Sequence, residues 1–235
     1  VARERVILAL DRADPEAVEK LLAQYPDIHR VKVGLELFTA QGPQIVAQLK
    51  QRGLWVFLDL KLHDIPNTVA SAVRAAVAHG VDLLTVHALG GSTMIEAAVK
   101  ARDAANGALD IVAVTALTSH DAAQWRVVVR DETPADAVQR LADMAVAAGA
   151  DGVVCSPHEV AALRTRLGSG PLAVVPGIRF GDVGAGDQRR AAGPAAALRA
   201  GASHLVVGRA LTAAVDPPAA WQALVCALGE ANVVD

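Results

Sequence analysis

A chain of 235 residues with 53% hydrophobic residues is long enough for one large core, and its formal net charge of -3 gives no general electrostatic reason to bind nucleic acid or anionic membrane. No apolar run approaches the ~18 residues of a membrane span, and the opening VARERVILALDR is too short and too soon charged for a secretory signal. Cys155 and Cys226 lack the spacing of a zinc site or a disulfide framework, so the reading is one domain over residues 1–235 in a reducing cytoplasm.

In chain order, short apolar or β-branched runs recur at VILAL from Val6, RVKVG from Arg30, WVFLDL from Trp55, LLTVH from Leu83, DIVAV from Asp110, GVVCS from Gly152, LAVVP from Leu172 and HLVVG from His204. Alanine-rich stretches with helical spacing lie between most of them, among them PEAVEKLLAQY, TVASAVRAAVAHG and PADAVQRLADMAVAAGA. They are opened by Pro, Asp or Thr and often closed by Gly. Strands that are apolar on both faces and alternate with helices predict a parallel sheet covered on its outside. Eight such units favour an α/β fold closed into a single (β/α)8 TIM barrel over an open doubly wound sheet. The glycine-rich GIRFGDVGAGDQRR, residues 177–190, follows the seventh strand and reads as a mobile active-site loop, with a merely solvated loop as the alternative.

Charges collect where these strands finish, which in a barrel is the catalytic face. Asp11 follows VILAL, Lys32 lies inside VKVG, Asp59 and Lys61 straddle Leu60, His87 ends LLTVH and Arg209 follows LVVG. Residues two apart on a strand share a face, so Asp59 and Lys61 point to the mouth if Leu60 meets the helices, and Lys32 joins them if Val31 and Val33 pack outward. A structural ion-pair cluster is the bland alternative, but buried ion pairs are a poor source of stability, and their position favours an enzyme. Asp64 either caps the helix that begins near Asn67 or Thr68, or reaches across a subunit boundary. His63, Asp64 and His87 are conceivable metal ligands. The lysine among the carboxylates already supplies positive charge, however, and no HxH or HExxH spacing is present, so no metal is expected. After the seventh and eighth strands, backbone N–H groups at Gly208 and Arg209, with the Arg209, Arg179 and Gln188 side chains, predict a phosphate site.

Taken together, ALDR (9–12), KVGLELF (32–38), DLKLHDIPNT (59–68), VTALTS (114–119), PGIR (176–179), GDQRR (186–190) and VVGRALT (206–212) closely resemble the motifs of the orotidine 5'-phosphate decarboxylase family, across nearly the whole chain. Val175 and Gly193 depart from it, at positions where the family often has threonine. The resemblance implies conversion of orotidine monophosphate to UMP and carbon dioxide in de novo pyrimidine biosynthesis, by a homodimer with no metal or organic cofactor. Lys61 would be the proton donor within a Lys32, Asp59, Lys61, Asp64 array, with Asp64 and Thr68 contributed across the subunit interface. Asp11 and Lys32 would contact the ribose, Thr118 the pyrimidine, and Ile65 would belong to the substrate site. Arg179, Gln188, Gly208 and Arg209 would hold the phosphate. Two rival readings are a magnesium-dependent sugar-phosphate decarboxylase or aldolase on the same barrel, and a non-catalytic sensor of UMP.

Overall fold

Each of the apolar runs forms a strand. In the computed structural model, which describes residues 3–129, 131–180 and 192–229, the strands are β1 (Val6–Ala9), β2 (Arg30–Gly34), β3 (Trp55–Leu62), β4 (Leu83–His87), β5 (Asp110–Val114), β6 (Gly152–Val154), β7 (Leu172–Val175) and β8 (His204–Val207). They pair in parallel in sequence order, and β8 returns to β1 to close a (β/α)8 TIM barrel. The covering helices are α1 (Pro15–Gln24), α2 (Leu35–Gln41), α3 (Gln44–Gln51), α4 (Pro66–Ala78), α5 (Ser92–Ala104), α6 (Ala122–Val128), α7 (Pro134–Ala147), α8 (Val160–Leu167), α9 (Pro194–Arg199), α10 (Arg209–Thr212) and α11 (Pro217–Gly229). Among the described residues no helix is long and apolar enough to cross a membrane.

Alternation along each strand divides the core in two. Leu8, Val31, Val33, Val56 and Leu58 pack outward beneath the helices, while Ile7, Phe57, Leu83, Val112, Val174 and Val206 fill the barrel. Both faces are therefore apolar, which is why the strands read as unbroken hydrophobic runs.

The helix starts follow the Pro, Asp and Thr signals. Asp14 accepts a hydrogen bond from the Glu16 N–H at 3.1 Å before Pro15, and Thr133 accepts one from the Asp136 N–H at 3.2 Å before Pro134. The helix after DLKLHDIPNT begins at Pro66, slightly ahead of the predicted Asn67 or Thr68, because proline's missing N–H costs nothing in the first turn.

Candidate active site

The apolar filling stops short of the C-terminal mouth. Above Ala9, Phe57, Val154 and Val206 lies a cavity of about 420 Å³ whose walls carry Asp11, Lys32, Asp59, Lys61, Thr118, Arg179, Gly208 and Arg209. The barrel thus brings together, in one cavity, residues that the sequence reading took from six different strand ends.

Asp59 is the centre of the charged array. Its Oδ1 accepts from Lys61 Nζ at 2.8 Å, and its Oδ2 lies 3.6 Å from Lys32 Nζ. Lys32 also donates to Asp11 Oδ1 at 2.9 Å. The order Asp11, Lys32, Asp59, Lys61 alternates in sign, so each charge in this half-dry site has an opposite neighbour. Lys32 reaches the mouth because Val31 and Val33 pack outward, and Leu60 packs outward as the sequence implied.

Lys61 keeps the face that strand alternation predicts, but its backbone is not that of a regular strand. Against β4, Leu58 pairs with Leu84 and Leu62 with Val86, so Asp59, Leu60 and Lys61 face Thr85 alone. Within this bulge Lys61 has φ of 52°, a left-handed conformation that L-residues with a side chain rarely adopt. Gly34, at the end of β2 and paired with Asp59, leaves room beside the array. A Cβ there would stand 2.8 Å from Lys32 Nζ and 3.2 Å from Asp11 Oδ1.

The cationic side of the cavity lies after β7 and β8. Burial, and next the neighbouring Arg209 guanidinium, push Arg179 below the ordinary guanidinium range, so the two cations sense one another. A dianion between them would relieve that repulsion. The short helix that starts at Arg209 is tied down from the other end of the chain. Tyr25 Oη donates to the Leu211 carbonyl at 2.8 Å, and Arg12 donates to the Thr212 carbonyl at 2.8 Å. Gly177, at φ 81°, opens the glycine-rich segment, whose feet are joined where the Arg179 N–H donates to the Ala192 carbonyl at 3.0 Å. The whole of GDVGAGDQRR, residues 181–190, and with it Gln188, lies outside the described residues.

Asp64, Ile65 and Thr68 are exposed and are not among the walls of this chain's own cavity. Asp64 does not cap α4. Its carboxylate accepts from the Ile65 N–H at 2.6 Å, and Ile65 is the N-cap residue, with no side-chain bond to the helix. Ile65 is 66% exposed. His87 stacks on His63 at 5.4 Å. Burial, followed by the charges of His63, Lys61 and His120, lowers its pKa to about 4. Sequence reasoning passed over Thr85 and Gly34. Neither carries a charge, and their importance lies in contacts across strands.

Comparison with known proteins agrees with this geometry. A model of the orotidine 5'-phosphate decarboxylase / HUMPS family matches residues 4–224. The orotidine 5'-phosphate decarboxylase of Halorhodospira halophila is 54% identical over 97% of each chain, and that of Anaeromyxobacter sp. strain K is 52% identical over 96% of this chain and 98% of its own. Among solved structures, the orotidine 5'-phosphate decarboxylase of Lactobacillus acidophilus superposes with a TM-score of 0.85 at 40% identity, covering 96% of this chain and 99% of its own.

Proposed function

The chain belongs to the orotidine 5'-phosphate decarboxylase / HUMPS family, and on that premise we propose that its whole length acts as one catalytic domain. This domain would decarboxylate orotidine 5'-monophosphate to UMP in pyrimidine biosynthesis, in the cytoplasm, without metal or organic cofactor. The enzyme is a carboxy-lyase. The observation that carries the mechanism is the ordered array of Lys32, Asp59 and Lys61 in the same cavity as the Arg179 and Arg209 guanidiniums.

Departure of carbon dioxide leaves an electron pair on a pyrimidine carbon, in an orbital badly placed for delocalisation into the ring. The Lys61 ammonium, aimed by Asp59, stabilises that developing charge and then delivers the proton. Because the ammonium is oriented before substrate arrives, little reorganisation is needed at the moment of bond breaking. Asp11 and Lys32 bind the ribose and Thr118 the pyrimidine. Arg179, Gln188, Gly208 and Arg209 take the phosphate, whose remote binding energy stabilises the closed, water-poor site.

Asp64, Ile65 and Thr68 serve the site of a second copy in a homodimer. Their exposure beside the mouth, and the absence of a capping role for Asp64, support this reading. The magnesium-dependent alternative needs a carboxylate open to the metal. Both oxygens of Asp59, the central carboxylate of the array, already face ammonium groups, which weighs against a metal held there.

The test is the fall in ultraviolet absorbance as orotidine monophosphate is consumed in EDTA, with folded Lys61→Ala and Asp64→Ala variants as controls. The parent is expected to turn over and each variant to be nearly inactive. Hybrid dimers formed by mixing the two variants should recover about a quarter of the parental sites, since random exchange leaves one intact shared site in half the dimers. Binding of UMP without turnover would establish the sensor instead, and activity restored only by magnesium would establish the sugar-phosphate reading. No recovery in the mixed dimers would remove Asp64 from a shared site.

A further inference from the structure

The geometry points to Thr85 as the positioning residue that sets the direction of both Asp59 and Lys61, a role that rests on the decarboxylase reading of the site. Thr85 is fully buried on β4 and lies 24 to 26 positions from the residues it bonds. Its Oγ1 accepts from the Lys61 backbone N–H at 2.8 Å and donates to Asp59 Oδ1 at 3.1 Å. One hydroxyl therefore joins the backbone of the proposed proton donor to the carboxylate that aims that donor's ammonium.

The surrounding sheet explains why a hydroxyl is needed there. Where β3 bulges, three of its residues face one residue of β4, so the Lys61 N–H has lost the regular ladder. A buried amide without a partner is costly, and the Thr85 hydroxyl takes the place of the missing carbonyl. That substitution lets Lys61 hold its left-handed backbone and turn its side chain over the cavity. The same hydroxyl passes its own proton toward Asp59, so the two bonds run in one direction and polarise each other. Asp59 Oδ1 is thereby held between the Thr85 hydroxyl and Lys61 Nζ, while Oδ2 is left to face Lys32.

A purely structural role is the competing explanation. The barrel filling next to Thr85 on its own strand and on β5, Leu83 and Val112, is apolar. Valine has nearly the shape of threonine, so it would fill the same space without the hydroxyl. If packing were the whole role, Thr85→Val would be harmless, whereas loss of the bridge would misdirect the ammonium. Misplacement of a reacting group by about 1 Å costs on the order of a hundredfold in rate.

The experiment compares Thr85→Val and Thr85→Ser with the parent in steady-state turnover of orotidine monophosphate. Thermal melting verifies the fold, and amide hydrogen exchange is read at Lys61. Thr85→Val is expected to lower kcat by roughly 10- to 100-fold with little change in KM, because the phosphate contacts lie elsewhere in the cavity. Its Lys61 amide should exchange faster. Thr85→Ser, which keeps the hydroxyl, should recover most of both properties. Parental kcat in folded Thr85→Val would overturn the proposal, as would a folded Thr85→Ser no better than Thr85→Val. Should Thr85→Val fail to fold, Thr85→Ala and Thr85→Ser provide the same comparison. A parent that does not turn over orotidine monophosphate contradicts the function, and the exchange rate of the Lys61 amide still decides whether Thr85 holds it.

Discussion

Gly34 ends β2 with a hydrogen where any other residue would bring a Cβ atom to 2.8 Å from Lys32 Nζ. Its φ of -95° is open to alanine, so the constraint comes from space and not from the backbone. The end of a lysine side chain moves easily, and Gly34→Ala is therefore expected to leave urea stability within about 0.5 kcal/mol while lowering kcat/KM roughly tenfold by pushing Lys32 away from Asp11 and Asp59. A variant as active as the parent would show that the Asp11–Lys32–Asp59 spacing is not critical. At this scale the charged residues were legible, since Asp59 and Lys61 stand out at the end of an apolar run. The means of presenting them was not. A positive φ at a lysine leaves no mark in composition, and Thr85 reads in LLTVH as an ordinary β-branched strand residue.

The elements carry a repeated device at the opposite end of the barrel. Asp82, Asp151 and Ser203 each stand immediately before an even-numbered strand and accept the N–H of the second residue of the odd-numbered strand before it: Val56 at 2.7 Å, Ile111 at 2.7 Å and Ala173 at 3.0 Å. Each also receives a cationic side chain from the helix leading into that odd strand. Lys50 meets Asp82 at 2.6 Å, Arg102 meets Asp151, and Arg164 meets Ser203 at 2.9 Å. Two residues ahead of each clamp is a glycine at positive φ, namely Gly80, Gly149 and Gly201. Each clamp satisfies a backbone donor at the barrel floor that has no partner in the ladder. Asp151→Ala should therefore cost about 1–3 kcal/mol in urea unfolding, by leaving both the Ile111 N–H and the Arg102 guanidinium with less compensation. Turnover per folded molecule should not change, because the floor is remote from the chemistry. Lost turnover at unchanged stability would contradict that division. The threefold recurrence of GVD, GAD and GAS before a strand is visible in the sequence. An aspartate after a glycine nevertheless reads as a turn residue, and its partner lies 26 to 49 positions away. The strands and their order were legible because both faces of each are apolar. The clamps and the β3 bulge were hidden because they depend on which residues neighbouring strands bring side by side.

Across the whole molecule, chemistry is gathered at the mouth and much of the polar stabilisation at the floor, and pH separates the two. His204 enters the barrel at the floor, 5.7 Å from the Trp55 ring, which carries the Arg30 guanidinium on its face at 4.7 Å. Burial, then the charges of Arg30 and Arg5, lower the His204 pKa from 6.5 to about 4. Between these values the unfolded chain binds a proton that the folded chain refuses, so stability must rise with pH across that window. Below about pH 4 both states are protonated and above about 6.5 both are neutral, so this contribution is complete above the window and is lost as pH falls through it. The shift corresponds to a change of up to about 3 kcal/mol. His87, at the mouth, is lowered similarly and adds to the same slope. In His204→Phe an aromatic ring remains against Trp55 but cannot titrate, and the Nδ1 atom it removes is buried with no hydrogen-bond partner among the described residues. Carboxylates common to both proteins cancel in the comparison. The parent's unfolding free energy should therefore climb more steeply than the variant's between about pH 4 and 6.5, with the two curves parallel above it. Curves parallel throughout would mean that the floor takes up a proton as readily as water does. If the curves diverge as expected while the pH profile of kcat stays the same, the His204 share of the acid response belongs to the floor and leaves catalysis at the mouth untouched.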